Sequence, residues 1–244
     1  MDNLPNVSVF ETPEELALAA AERFVQYASE SNERVDRFSV ALAGGHTPER
    51  VYELLATEPF RSRIRWSHVH LFFGDERCVP PNDPESNYGM TYEALISKVP
   101  IPPTNVQRII GEGNAGQNAQ DYENHLRSFF DGLPWPRFDL VLLGMGEDGH
   151  TASLFPNSAA LRETSHWVVP SRNEQSGQDR ITVTAPAFNH ARHVMFLVTG
   201  EKKAQRLKEV LRRPAGSEQL PVQAITPIDG NLEWLVDSEA ASLL

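Results

Sequence analysis

Asp148 and His150 stand two residues apart in the stretch Gly144-Met145-Gly146-Glu147-Asp148-Gly149-His150. After a tight turn, a carboxylate and an imidazole at that spacing can meet at one reacting centre, where the acid orients or charges the base. The glycines also fit G-x-G-x-x-G, the dinucleotide fingerprint. Glu147 and Asp148 would then press two carboxylates against a pyrophosphate, so the glycines are better read as residues that turn the chain and aim Asp148 and His150 into a cleft. On these residues alone, a glycine-rich surface turn with a solvated acid fits as well.

A second cluster reads Gly44-Gly45-His46-Thr47-Pro48. Thr47 suits a helix cap and Pro48 the first turn, so a strand, a Gly-Gly turn and a helix N-terminus run head to tail. Backbone N–H groups and the positive end of a helix dipole would then converge on one spot, which can hold an anion. No G-x-x-x-x-G-K-[ST] loop is present, and an unliganded βα turn is the competing reading. The cluster Gly74-Asp75-Glu76-Arg77 follows a further apolar run, Val69 to Phe73. Lys203 falls in the first turn of a helix expected from about Glu201, where it opposes the dipole. A nearby anion would explain it, and so would simple solvation.

Each cluster needs a strand to deliver it. Phe38 to Ala43, Val69 to Phe73, Asp139 to Leu143 and Val194 to Val198 are short apolar runs without alternation, as in strands buried on both faces. Helical patterns lie between them: Thr12 to about Ala28, Thr47 to Leu55, the stretch after Ser86-Asn87 with Tyr88, Tyr92, Leu95 and Ile96 facing the core, Asn118 to Phe130, and Glu201 to Leu211. Trp167 to Val169, Arg180 to Thr184 and Leu232 to Val236 are further strand candidates, and Val106 to Ile110 a short one. The alternation predicts an α/β fold: a Rossmann-like, open, mostly parallel sheet covered by helices on both faces. In such sheets ligands bind beyond the carboxyl ends of the strands, where all three polar clusters would lie.

The chain has 244 residues, enough for the single domain expected over 1–244. Its net charge is -11 and it has no basic block, which argues against nucleic acid and means that any anion site must be built locally. No apolar run is long enough to span a bilayer, and the start lacks a signal-peptide pattern, so no membrane association and a cytoplasmic location are expected. Cys78 is the only cysteine, which rules out an intrachain disulfide. His68 with His70, and His190 with His193, lack a third ligand, so no metal is expected. No G-x-S-x-G elbow is present, so a Ser-His-Asp triad built on Ser153 is not expected.

With these pieces in order, the chain resembles the 6-phosphogluconolactonases over nearly its whole length. The likeness rests on ALAGGHTP, FFGDERCVPPNDPESNYGM, LLGMGEDGHTASLFP, RITVTAPAFNHAR and FLVTGEKKA. It implies the fold shared with glucosamine-6-phosphate deaminase and ribose-5-phosphate isomerase, and hydrolysis of a small phosphosugar lactone without cofactor or metal. It further implies that His150 is the general base and Asp148 its partner. Gly44, Gly45, His46 and Thr47 match the phosphate turn, with Lys203 and Arg180 adding charge. Arg77 and Asn87 match residues lining the pocket, and Asp75 an acidic position there. His46 departs from the usual serine. A deaminase or isomerase of the same fold would carry a glutamate where Phe155 stands; a non-enzymatic phosphosugar sensor would need the turn and Lys203 but not His150.

Overall fold

The computed structural model describes residues 6–212 and 219–244. In chain order its strands are β1 (Val7–Phe10), β2 (Phe38–Leu42), β3 (Val69–Phe73), β4 (Asp75–Arg77) and β5 (Val106–Gln107). They continue with β6 (Leu140–Leu143), β7 (Val168–Asn173), β8 (Gln178–Val183), β9 (His193–Val198) and β10 (Asn231–Asp237). The helices are α1 (Pro13–Val35), α2 (His46–Leu55), α3 (Phe60–Arg63), α4 (Asn87–Ala94), α5 (Ala115–Phe129), α6 (Ala185–Phe188) and α7 (Ala204–Arg212).

Seven strands form one sheet in the order β1-β10-β9-β6-β2-β3-β5, every pairing parallel. Alternate residues feed two separate cores, which is why the strand runs are apolar throughout. Val40, Leu42, Leu140, Leu142, Met195 and Leu197 pack with α1 and α2. Ala41, Val141, Leu143, Phe196 and Val198 face the other way, toward α5 and α7. From β2 the chain moves outward to β3 and β5; from β6 it moves the opposite way, to β9 and β10. The crevice at this reversal lies beyond the carboxyl ends of β2 and β6.

The mostly parallel α/β sheet matches the sequence reading, with one addition. β4, β8 and β7 form a second, antiparallel sheet of three strands. It shares the second face with α5, so that face is not covered by helices alone. Residues 168–183 are apolar only at their two ends, Val168 to Pro170 and Ile181 with Val183, and such a pattern does not say which sheet a strand joins. β1 had no expected counterpart. α1 runs to Val35 instead of about Ala28, because its polar last turn finds partners: Ser31 Oγ donates to the Arg37 carbonyl and Arg34 pairs with the buried Asp139. Tyr92 is exposed, not turned to the core as its spacing suggested.

Phe72 sits at the centre of an aromatic cluster, with ring centroids 4.9 Å from Phe129 and 5.5 Å from Phe138. It is fully buried. Phe72→Ala should therefore cost about 3–5 kcal/mol of stability, read as a lower urea midpoint at unchanged slope.

Candidate active site

Glycine at two positions allows side chains to close on the backbone. A Cβ on Gly146 would lie 2.1 Å from His150 Nδ1 and 2.7 Å from Asp148 Oδ1. A Cβ on Gly44 would lie 1.8 Å from Asn87 Oδ1. These glycines let the loops after β6 and β2 carry polar side chains folded directly over the main chain.

Asp148 Oδ1 stands 2.6 Å from His150 Nδ1 and also accepts the His150 main-chain N–H at 3.0 Å. Burial pushes the Asp148 carboxyl up, but the bonds from the His150 ring and main chain outweigh it and hold the group down at about 2. Asp148 is thus ionised across the working range of pH, and Nδ1 is fixed as the nitrogen facing it. Nε2 is left for the cavity that the ring lines. Phe155 packs on the imidazole, with centroids 4.9 Å apart.

That cavity holds about 230 Å³ and gathers residues from four strand ends. Gly44 and Gly45 come from the end of β2, His150 from the loop after β6, and Lys203 from the turn after β9. Asp75, Arg77 and Arg180 come from the second sheet, and Asn87 from the start of α4. Eight of the eleven expected site residues therefore line one space, and Asp148 stands behind His150. The deep crevice is made by both sheets together.

Two expectations for the turn after β2 change. The helix cap is Gly45, at φ 97°, so α2 starts at His46 and Thr47 is its second residue. The His46 side chain is fully exposed, with Nδ1 3.3 Å from Glu49, and does not reach the cavity. A first-turn residue at this place projects outward, so an imidazole cannot stand in for a hydroxyl contact there. Thr47 Oγ1 is not free either: it bonds Thr199 Oγ1 at 2.7 Å and ties the turns after β2 and β9 together.

The cations are arranged as a wall. Arg77 and Arg180 are direct cross-strand neighbours of β4 and β8, and the Nε of each is buried without a partner among the described residues. Like charges placed opposite one another are unfavourable unless an anion joins them. Burial lowers the Arg180 pKa, and Arg77 adds in the same direction while Asp75 opposes. Burial likewise lowers that of Lys203, against the pull of Glu147 and Asp148. Arg77 also donates to the Glu85 carbonyl.

Several working residues carried no sequence signal of their own. Glu76, only 2% exposed, accepts the main-chain N–H groups of Asn87 and Tyr88, both at 2.7 Å, and so seats the start of α4. Asp237 accepts the Gly200 N–H at 3.0 Å and fixes the turn that carries Lys203. Ser153 donates to Asp75 Oδ2 at 2.6 Å. Ala152 lines the cavity at φ 47°, a strained conformation for a residue with a Cβ. Among the described residues no three His, Cys, Asp or Glu side chains gather as they would around a metal ion.

An open parallel sheet that sets a carboxylate-held imidazole beside a wall of cations at its carboxyl edge is the architecture of an α/β enzyme. The chain belongs to the family of glucosamine-6-phosphate isomerases and 6-phosphogluconolactonases, whose sequence model matches residues 11–234. A 6-phosphogluconolactonase of Haemophilus influenzae is 38% identical over 239 residues, spanning 98% of this chain and 100% of that one. The solved 6-phosphogluconolactonase of Trypanosoma cruzi is 30% identical, with a TM-score of 0.88 over 100% of this chain and 98% of its own. A monomeric glucosamine-6-phosphate deaminase, 23% identical, matches with a TM-score of 0.83 over 98% of this chain and 100% of that one; it shares the fold.

Because Gly146 admits the dyad, Gly146→Ala should drive the His150 ring off Asp148 while the sheets stay intact. The expected outcome is a kcat at least 100-fold lower with an unchanged circular dichroism spectrum; near-normal kcat would mean that the dyad is not needed where it stands.

Proposed function

We propose that the chain hydrolyses 6-phospho-D-glucono-1,5-lactone to 6-phosphogluconate, the second step of the oxidative pentose phosphate pathway. The observation that carries this is the His150 ring itself: Nδ1 is held by Asp148 at 2.6 Å, and the ring lines a cavity shared with Arg77, Arg180 and Lys203. The names of the relatives at high coverage support the same substrate. Phe155, packed on the base, stands where ring-opening chemistry would place an acid, which favours hydrolysis over isomerisation.

The reaction follows from these groups. His150 Nε2 takes a proton from water as its oxygen attacks C1, and Asp148 steadies the imidazolium formed. The negative charge on the former carbonyl oxygen develops beside the cationic wall. As the C1–O bond of the ring breaks, the imidazolium returns the proton to the leaving ring oxygen, and the acid product ionises. The lactone is already activated, so no covalent intermediate is required. First-turn amides of α2 and the Lys203 ammonium suit the phosphate dianion. Residues 1–244 would act as one domain on a free small molecule, in the cytoplasm and without nucleic acid or a cofactor. No helix among the described residues is long and apolar enough to cross a membrane.

A coupled assay on freshly generated lactone, corrected for spontaneous hydrolysis, tests the reading directly. His150→Ala should lose about 100-fold to 10,000-fold in kcat while still binding 6-phosphogluconate. Retained kcat would eliminate the mechanism. In the wild type, kcat/KM should fall on the acid side with the slope of a single proton. Imidazolium cannot accept a proton, whereas Asp148, held at about 2, does not titrate in that range.

Lys203→Ala should raise KM far more than it lowers kcat. The Lys203 pKa is lowered by burial, so its charge is lost at lower pH than for an ordinary lysine, and KM should climb on the alkaline side. Lys203→Arg should abolish that climb. A KM equally flat in both proteins would place the phosphate elsewhere.

A further inference from the structure

Asn87 turns its carboxamide one particular way, and the cause lies behind it. Its Nδ2 donates to the Asp75 carbonyl at 2.9 Å and to Asp75 Oδ1 at 3.1 Å. Both neighbours on that side are acceptors, so the amide nitrogen must face them and the amide oxygen must face the other way. That side is Gly44, at the cavity wall, where Oδ1 fills the place a Cβ would take.

Asp75 is held in turn. Its Oδ2 accepts the Ser153 hydroxyl at 2.6 Å. Ser153 is 0% exposed, its N–H donates to Thr182 Oγ1 at 3.3 Å, and its carbonyl accepts Ser171 Oγ at 2.6 Å. Fixed from three sides, Ser153 is out of reach of a substrate and cannot serve as a nucleophile. Both Asp75 oxygens are occupied as acceptors, which keeps the carboxylate oriented.

From this chain of bonds we infer that Ser153 and Asp75 are positioning residues, fixing Asn87 so that its Oδ1 accepts a hydroxyl of the sugar. The inference rests on the function proposed above and divides the cavity by chemistry. Arg77, Arg180, Lys203 and the α2 amides donate, and suit phosphate and the acyl oxygens. Asn87 Oδ1, backed by the Asp75 charge, repels phosphate and selects a donor. A polar wall of this kind rejects an analogue lacking the hydroxyl because its own acceptor is then left unpaired.

The test compares two ligands in four proteins: wild type, Asn87→Ala, Ser153→Ala and the double variant. The dissociation constant of 6-phosphogluconate and the inhibition constant of inorganic phosphate are measured for each, with folding checked by thermal unfolding. Asn87→Ala should weaken 6-phosphogluconate about tenfold, the size of one hydrogen bond to a buried partner, and leave inorganic phosphate unchanged. Ser153→Ala should reproduce a large part of that loss, again without touching phosphate. The double variant should be no worse than Asn87→Ala, because Ser153 acts only through Asn87.

Additive losses, or a phosphate constant that moves in step with that of 6-phosphogluconate, would overturn the inference. If Ser153→Ala fails to fold, Asn87→Ala decides alone: equal weakening of both ligands overturns it, and selective weakening supports it. A wild type that does not hydrolyse the lactone would instead sink the proposed function.

Discussion

The 2.6 Å contact between Asp148 Oδ1 and His150 Nδ1 is the interaction that gives the other features their purpose. It commits one ring nitrogen to the acid and leaves the other for the cavity, which is what the proposed mechanism asks of a directed base. The contact needs the absence of a side chain at Gly146, the sharp turn through Gly149, and the strand β6 that brings the loop to the reversal point of the sheet. Phe155 then dries one face of the ring. The sheets, with their two cores, hold this pair opposite groups that come from other strand ends.

Buried carboxylates build that frame. Asp139 holds the start of β2 through the Ser39 N–H and hydroxyl, and receives Arg34 from α1. Glu123 of α5 accepts the N–H groups of Trp167 and Val168, joining the helix to the second sheet. Glu76 seats α4, Asp237 seats the turn before Lys203, and Asp75 orients Asn87. A buried anion is costly unless hydrogen-bonded, so each of these acids is met by donors: main-chain N–H groups of Ser39, Trp167, Val168, Asn87, Tyr88 and Gly200 for the first four, and the side chains of Asn87 and Ser153 for Asp75. The same bonds that satisfy the acids therefore give the loops their fixed shapes.

Charge is distributed accordingly. The chain carries a net -11, yet its cavity presents Arg77, Arg180 and Lys203. Arg77 and Arg180 face one another across β4 and β8, and burial with mutual repulsion lowers the Arg180 pKa. A bound anion relieves that repulsion. In the function proposed above, selectivity for anions would come from this local placement, against the sign of the whole molecule.

The sequence by itself determined what is local. The apolar runs that stop at glycine specify buried parallel strands, and Asp148 with His150 can meet because only Gly149 lies between them. The motif likeness supplied the remaining site residues, seven of which line the cavity with His150. The tertiary structure decided what depends on distant partners. It set Ser153 against Asp75, 78 residues away, and paired Arg77 with Arg180 in a second sheet that periodicity could not separate from the first. It also turned His46 outward, since the helix begins at His46 and not after Thr47. Side-chain direction at a helix start, and the choice of partner for a short strand, are settled by which surfaces meet when the two cores close. No window of neighbouring residues contains that information.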